Sequence, residues 1–321
     1  MEKIAVTTTG GDAPGMNCVI RAVVRTSIYY GMEIFGIRRG FKGLYEDDIF
    51  KMSSRDVSGI INQGGTILKT KRFPEFSERK IREIAIKNLK KRKIEGLIVI
   101  GGDGSAKGAY SLYSDFNFPV VLIPASIDND LYGTDYTVGF DTAVNTAVEA
   151  IDRIRDTATS HERVFIIEVM GREKGNLAVE IALACGAEIV LIPERKMEWN
   201  EIFDEIEKQE KRGKVSSLII VAEGAGKASE IAKILQKRFP EREIRFSVLG
   251  YIQRGGKPTY FTRTIATKFG FEAVKMLKEG KYGYMVGIKG GNIVHIPLKE
   301  VVSGKKSPSF ENLKLMEIMA I

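Results

Sequence analysis

Ile4-Ala-Val-Thr-Thr-Thr-Gly-Gly-Asp-Ala-Pro-Gly-Met-Asn17 is the stretch on which the fold turns. A short run of strand-forming residues enters a glycine-rich loop. Apolar residues at helical spacing, Ile20, Val23, Val24 and Ile28, follow at once. The same unit returns at Gly96-Leu-Ile-Val-Ile100, followed by Gly101-Gly-Asp-Gly-Ser105, and at Val120-Val-Leu-Ile-Pro124, followed by Ala-Ser-Ile-Asp-Asn-Asp130. A long helix with Phe140, Ala143, Val144, Ala147, Ile151 and Ile154 on one stripe comes next. Apolar runs at 163–168, 188–193 and 217–222 continue the alternation. Continuous apolar strands between helices predict mainly parallel sheets covered on both faces, an α/β protein of doubly wound, Rossmann-like type.

The chain has 321 residues, which at ~150 residues per domain suggests two domains. With 44% hydrophobic and 28% charged residues it is not a disordered chain. No apolar run reaches the ~18 residues of a membrane helix. The N-terminus passes straight into a strand-like run, without a signal peptide, and the two cysteines, Cys18 and Cys185, lie in apolar helical patterns and read as buried free thiols. A cytoplasmic location is expected. The balance of 49 Lys+Arg against 41 Asp+Glu gives +8, which suits anionic partners. The one basic run, 87–93, closes an amphipathic helix, and no nucleic-acid recognition motif accompanies it, so neither nucleic acid nor membrane is an expected partner. No linker marks a linear domain boundary, and the strand at 244–249 and the helix at 262–277 fit either lobe.

Ligands of open α/β sheets bind at the carboxyl ends of strands, and Gly10-Gly11 and Gly101-Gly102-Asp103-Gly104 stand there. Small residues before a helix expose backbone amides to phosphate, and they also simply make tight turns. Neither loop is a Walker A or a Gly-x-Gly-x-x-Gly motif. Asp103 reads either as a carboxylate reaching phosphate through Mg²⁺, or as an Asx-turn or N-cap residue. Asp128 and Asp130 read either as a pair dividing proton acceptance and orientation, or as a turn rich in Asp and Asn. Arg163, Arg172, Arg245 and Arg254 each adjoin a strand or glycine turn, and Arg72 lies in Lys71-Arg-Phe-Pro74. Arginine suits forked phosphate recognition, although each alone reads equally as surface charge. His161 and His295 make no metal pair, the cysteines carry no nucleophile signature, and Trp199 suggests partial burial.

Five motifs occur in order: Gly10-Gly-Asp-Ala-Pro-Gly-Met-Asn17, Gly101-Gly-Asp-Gly-Ser105, Ile127-Asp-Asn-Asp130, Glu168-Val-Met-Gly-Arg172 and Gly250-Tyr-Ile-Gln-Arg-Gly-Gly256. Together with Arg72-Phe-Pro-Glu-Phe76 and Thr157-Ala-Thr-Ser-His161 they resemble the bacterial ATP-dependent 6-phosphofructokinases, the type A phosphofructokinase family. The resemblance implies transfer of the ATP γ-phosphoryl group to the 1-hydroxyl of fructose 6-phosphate. It implies an ATP lobe of residues 1–138 plus 252–302 and a sugar-phosphate lobe of 139–251 plus 303–321. Gly11, Arg72, Phe73, Gly102, Asp103, Gly104 and Ser105 match nucleotide contacts, with Asp103 the Mg²⁺-linked carboxylate. Asp128 matches the general base, with Arg72 and Arg172 in supporting catalytic positions. Ser126, Asp130, Met170, Gly171, Arg172, Glu223, Tyr251 and Arg254 match the sugar-phosphate side, and Arg163 and Arg245 match arginines lent by a neighbouring subunit of a homotetramer. Arg21, Arg25, Arg155, Gly186, Glu188, Arg212 and Lys214 match an effector site for ADP or phosphoenolpyruvate.

This chain departs from the family pattern in several places. Tyr251 stands where the family usually has His, and Ser54 and Ser216 replace the usual Arg and His of the effector site. Pyrophosphate-dependent relatives typically carry Lys where Ala125 stands and Asp where Gly104 stands, so ATP is the expected donor. A pyrophosphate-dependent enzyme and a weakly active regulatory paralogue are the alternatives.

Overall fold

A computed structural model describes residues 1–157, 163–214 and 216–320, with 158–160 described as backbone. It divides into two compact units, Met1–Thr142 with Arg254–Lys306, and Ala143–Gln253 with Ser307–Ile321. Each unit is therefore assembled from separate stretches of chain, which is why no linker is visible in the sequence. In chain order the strands are β1 Lys3–Thr8, β2 Glu33–Ile37, β3 Ile49–Lys51, β4 Gly96–Gly101, β5 Val120–Ser126, β6 Val138–Gly139, β7 Val164–Val169, β8 Ile189–Leu191, β9 Ser217–Ala222, β10 Ile244–Val248, β11 Tyr284–Lys289 and β12 Asn292–Pro297.

The first unit holds an eight-stranded sheet in the order β12-β11-β5-β4-β1-β2-β3, with β6 beside β5. The pairs from β2 through β1, β4 and β5 to β11 are parallel, whereas β3 and β12 close the two edges antiparallel. The β11–β12 hairpin turns on Gly290-Gly291, both at positive φ, as a two-residue turn between twisted strands requires. β4 is buried at every residue, as a strand covered on both faces must be. On one face the rings of Phe41 and Phe76 stack at 4.0 Å over a core that includes Leu44, Leu89, Leu97, Leu112 and Leu122. Each such side chain contributes roughly 1.5–3 kcal/mol on burial.

The second unit holds a parallel four-stranded sheet in the order β10-β7-β9-β8. Val164, Ile166, Ile219 and Val221 of its central strands pack against Ile202, Ile206 and Leu235 of the helices Trp199–Lys211 and Ala228–Arg238. The apolar run at 188–193 yields only the three residues of β8, after which Ile192 bridges Arg195 across a turn that contains Pro193. The predicted helical stripe after Asp130 is found in the helix Phe140–Ser160, where Phe140, Ala143, Ala147 and Ile151 are buried. Among the described residues no helix is long and apolar enough to cross a membrane.

Both cysteines are free and buried. Cys18 Sγ donates to the Ile61 carbonyl at 3.0 Å. Loss of solvent pushes both thiols up to about 11. At pH 8 this lowers the thiolate fraction on the order of 10²-fold below that of an exposed cysteine. Neither thiol should react with dithionitrobenzoate at pH 8 within minutes in the folded protein, and both should react at once in 6 M guanidinium. Rapid labelling of the folded chain would contradict this burial.

Candidate active site

In the first unit the chain leaves β1 towards β2 on one side and β4 towards β5 on the other, so the connections after β1 and β4 part at the carboxyl ends of two adjacent strands. That divergence is where open α/β sheets take their ligands. Both connections are glycine loops. Thr9 N–H still donates to Ile100 O at 3.0 Å, and Ser105 Oγ donates to Thr9 O at 3.1 Å. A β-carbon on Gly101 would overlap Ser105 Oγ and stand 2.5 Å from Thr9 O, so only hydrogen fits. A β-carbon on Gly11 would stand 2.5 Å from Arg254 Nη1, which brings the Arg254 guanidinium onto the first loop. Asp12 Oδ1 lies 3.9 Å from the same nitrogen. Thr70 Oγ1 donates to Gly10 O at 2.7 Å and ties the segment carrying Arg72 and Phe73 to this loop. Arg72 is exposed, and Phe73 is half-buried with its ring 5.6 Å from that of Tyr45.

The helix Asp103–Phe116 starts directly after the second loop, with Gly102 as its N-cap. Asp103 is therefore not a capping residue. It lies in the first turn, where the helix dipole favours negative charge, and its carboxylate meets Lys107 Nζ at 2.7 Å. Both partners are well exposed, so the pair contributes less than ~1 kcal/mol and yields readily to a stronger cation. Sequence reading passed over Lys107, although its spacing of four from Asp103 on a helix is the signal for such a pair. The position of a Gly104 β-carbon meets nothing within 4 Å, so the loop is open there.

The loop after β5 adjoins the second glycine loop, since a Gly102 β-carbon would stand 3.6 Å from Ser126 Cβ. Ser126 Oγ accepts from Asp128 N–H at 3.1 Å and donates to Asp130 Oδ1 at 3.3 Å. Asn129 adopts the left-handed conformation at φ 49°. Its side chain accepts from Thr137 N–H at 3.0 Å and donates to Asp135 O at 2.9 Å. Asn129 and Ser126 thus build the turn, and Asp128, 3% exposed, is held buried within it. Gly10, Gly11, Asp103, Ser105, Ser126, Asp128, Asp130 and Arg254 form one contiguous cluster through these contacts.

In the second unit the loops after β7 and β9 meet. Met170 N–H donates to Gln253 Oε1 at 3.0 Å, and Arg172 N–H donates to Glu223 Oε1 at 2.7 Å. Gly171 stands at φ 138° between them, and a β-carbon there would lie 2.6 Å from Lys174 O. Tyr251 is 81% exposed on the 3₁₀ turn Gly250–Arg254. Arg163 and Arg245 are found elsewhere. They stand at the amino ends of β7 and β10 and share Glu243, with Arg163 Nε 2.7 Å from it. Along an extended strand at ~3.3 Å per residue, Arg163 is roughly 20 Å from the Met170 loop, so this unit does not bring the two together.

A cavity of about 60 Å³ in the second unit is lined by Arg155, Phe165, Glu188, Ser216 and Ser217, among others. Arg155 Nη2 donates to the carbonyls of Cys185 and of Gly186, the latter at 3.2 Å. Lys214 Nζ stands 3.5 Å from Glu188 Oε1 and donates to Ala320 O at 2.7 Å. Arg155, Gly186, Glu188 and Lys214 are thus brought together, while Arg212 is exposed at the end of the helix Trp199–Lys211. Arg21 and Arg25 lie a turn apart on the helix Met16–Tyr29 of the first unit, where Ser54 is exposed. His161 lies outside the described residues, and of the motif ending on it Thr157 is exposed and 158–160 are described as backbone. His295 lies 2.9 Å from Glu272 and 2.6 Å from Lys281. No group of three or more His, Cys, Asp or Glu able to hold a metal occurs among the described residues.

The phosphofructokinase family model matches residues 3–277. The chain belongs to the phosphofructokinase family. It is 49% identical over 324 residues to the ATP-dependent 6-phosphofructokinase of Persephonella marina, covering 100% of both chains. It is 48% identical over 307 residues to that of Thermotoga neapolitana, covering 96% of each. A solved phosphofructokinase from Saccharomyces cerevisiae superposes with a TM-score of 0.87 at 36% identity over 94% of this chain, which spans only 45% of the yeast chain. A pyrophosphate-dependent phosphofructokinase from Marinobacter aquaeolei, 21% identical, shares the fold with a TM-score of 0.85 over 97% of this chain and 86% of its own.

The two glycines of the second loop should respond oppositely to the same substitution. Gly101→Ala forces a β-carbon against the Thr9 backbone and should destabilise the protein by about 1–3 kcal/mol. Gly104→Ala places it in open space at a helical position and should leave stability unchanged or raise it by up to ~1 kcal/mol. Urea unfolding of both variants decides this, and equal effects would contradict the packing described.

Proposed function

We propose that this chain is an ATP-dependent 6-phosphofructokinase that carries out the transfer with the clustered loops of its first unit. The observation that carries the reading is the juxtaposition, at the divergence of β1 and β4, of two glycine loops with a buried aspartate on the neighbouring β5 loop. Full-length identity of 49% to an enzyme of that name supports it.

Phosphoryl transfer requires positioning and charge stabilisation more than covalent chemistry. The amides of the Gly10-Gly11 and Gly101–Ser105 loops, with the N-terminus of the helix Asp103–Phe116, hold the triphosphate. Arg72 and Phe73 complete the nucleotide contacts. Asp128 accepts the proton of the sugar 1-hydroxyl as that oxygen attacks the γ-phosphorus and the bond to the β-phosphate oxygen breaks, giving fructose 1,6-bisphosphate and ADP. Arg72, Arg172 and Arg254 offset charge on the phosphoryl oxygens. Ser126 and Asp130 orient the acceptor, and Met170, Gly171, Arg172, Glu223 and Tyr251 hold the sugar phosphate. A neutral phenol at Tyr251 donates a weaker hydrogen bond to phosphate than a cationic imidazole.

Asp103 suits Mg²⁺. It is a single exposed carboxylate beside the phosphate loops, and Mg²⁺ is ordinarily held by one or two carboxylates together with phosphate oxygens and water. When bound, the cation neutralises phosphate charge.

The distance of Arg163 and Arg245 from the Met170 loop of their own unit supports their serving a neighbouring subunit, in a homotetramer with shared sites. The cavity beside Arg155 and Glu188, with Lys214 and Gly186, supports a phosphorylated effector such as ADP or phosphoenolpyruvate, for which Arg212 and, in the first unit, Arg21 and Arg25 are further candidate cations. A cytoplasmic location follows from a glycolytic role.

A coupled assay with ATP and with pyrophosphate as donor tests the reading. The open space at Gly104 and the uncharged Ala125 support ATP, which should be preferred by at least ~10² in kcat/KM, about 3 kcal/mol. Equal or better turnover with pyrophosphate would give the reaction to the other donor, and none with either would leave a binding paralogue. In the same assay Asp128→Asn should lower kcat by ~10²–10⁴, with the KM for fructose 6-phosphate within threefold of wild type. Near-normal turnover of this variant would remove Asp128 as the base.

A further inference from the structure

Gln253 has no part in the mechanism above, yet it is 0% exposed. Its Oε1 accepts from Met170 N–H at 3.0 Å, at the point where the β7 ladder ends. Pairing of β7 stops at Val169, whose carbonyl accepts from Glu223 N–H at 2.9 Å, so Met170 N–H is the next donor along the chain. Two residues on, Arg172 N–H is taken by Glu223 Oε1 at 2.7 Å. Between these clamps Gly171 stands at φ 138° and Arg172 at φ 54°. The left-handed region is sparsely populated by residues other than glycine, so this backbone persists only because its surroundings hold it. Two side-chain acceptors, one from the turn Gly250–Arg254 and one from the loop after β9, are the means.

The choice of glutamine is informative. Its Nε2 has no hydrogen-bond partner among the described residues, and an unmade buried donor is costly. An apolar residue of equal size would remove that cost but offer no acceptor to Met170. A glutamate would supply the acceptor but bury a negative charge next to a loop that meets phosphate. Glutamine alone provides the acceptor without the charge. We propose that Gln253 is a positioning residue of the sugar-phosphate site: its amide oxygen fixes the Met170–Arg172 backbone in the conformation that receives fructose 6-phosphate, without touching the substrate. The proposal rests on the functional reading above.

Two measurements on the whole protein test it. Amide hydrogen exchange of wild type should show Met170 protected to the level of the β7 amides, and fast exchange there would overturn the proposal without any variant. In Gln253→Met that protection should fall at least tenfold while residues 164–169 stay protected, and Gln253→Glu, which keeps the acceptor, should restore it. In steady state Gln253→Met should raise the KM for fructose 6-phosphate tenfold or more, with the KM for ATP within twofold. Unchanged affinity for the sugar phosphate would overturn the proposal. So would a parallel rise in both KM values with loss of β7 protection, because that is the mark of a merely structural residue. Wild type that neither binds nor phosphorylates fructose 6-phosphate would instead defeat the functional reading, whereas the exchange result at Met170 is read independently of it.

Discussion

Adjacent parallel strands whose connections run in opposite directions leave a gap at their carboxyl ends, and the first unit is organised around the one between β1 and β4. The strands stand close enough there that Thr9 N–H bonds Ile100 O and Ser105 Oγ bonds Thr9 O. That closeness leaves no room for a side chain at Gly101. Glycine is thus forced by packing at the carboxyl end of β4, in the loop proposed to bare its amides to phosphate. The loop after β5 lies alongside at ordinary van der Waals distance, since a β-carbon on Gly102 would stand 3.6 Å from Ser126 Cβ.

The aspartates of this cluster differ in their surroundings more than in their sequence context. Asp103 stands partly exposed in a first helical turn, paired with the exposed Lys107, in a place where a cation can displace that lysine. Asp128 is buried, its backbone N–H fixed by Ser126 and its neighbour Asn129 locked in a left-handed turn by Thr137 and Asp135. A carboxylate held in one place suits proton acceptance from one hydroxyl, whereas an exposed one suits partners that come and go. The proposed division of roles rests on burial and support, not on proximity in the chain.

Much of this was legible in the sequence wherever a strand was buried on both faces. β4, β5, β7 and β9 announce themselves as largely apolar runs and β1 as a short strand-forming one, and the glycine and aspartate loops stand directly at their ends. The edges were not legible. β3 has three residues, and β12 is half-exposed along most of its length, so neither carries a buried-strand signal. The interleaving of the two units left no mark in composition, because the chain passes between them inside the helix Phe140–Ser160, inside the turn Gly250–Arg254 and in the short loop before Phe310. At the candidate site, the placement of Asp103 and Asp128 at strand ends was readable, but their exposure was not. Gln253 gave no signal, since an uncharged residue in a short turn declares its bond to Met170 only once the fold brings the two together.

The central claim is that the loops after β1 and β4 hold the triphosphate while Asp128 receives the acceptor proton. The most direct measurement is a crystal structure of the protein with Mg²⁺, a non-hydrolysable ATP analogue and fructose 6-phosphate. The account predicts the γ-phosphate between Gly11 and the Gly102–Ser105 loop, and the sugar 1-hydroxyl within hydrogen-bond distance of an Asp128 carboxylate oxygen. A triphosphate seated away from these loops, or a 1-hydroxyl directed to any group other than Asp128, would contradict it.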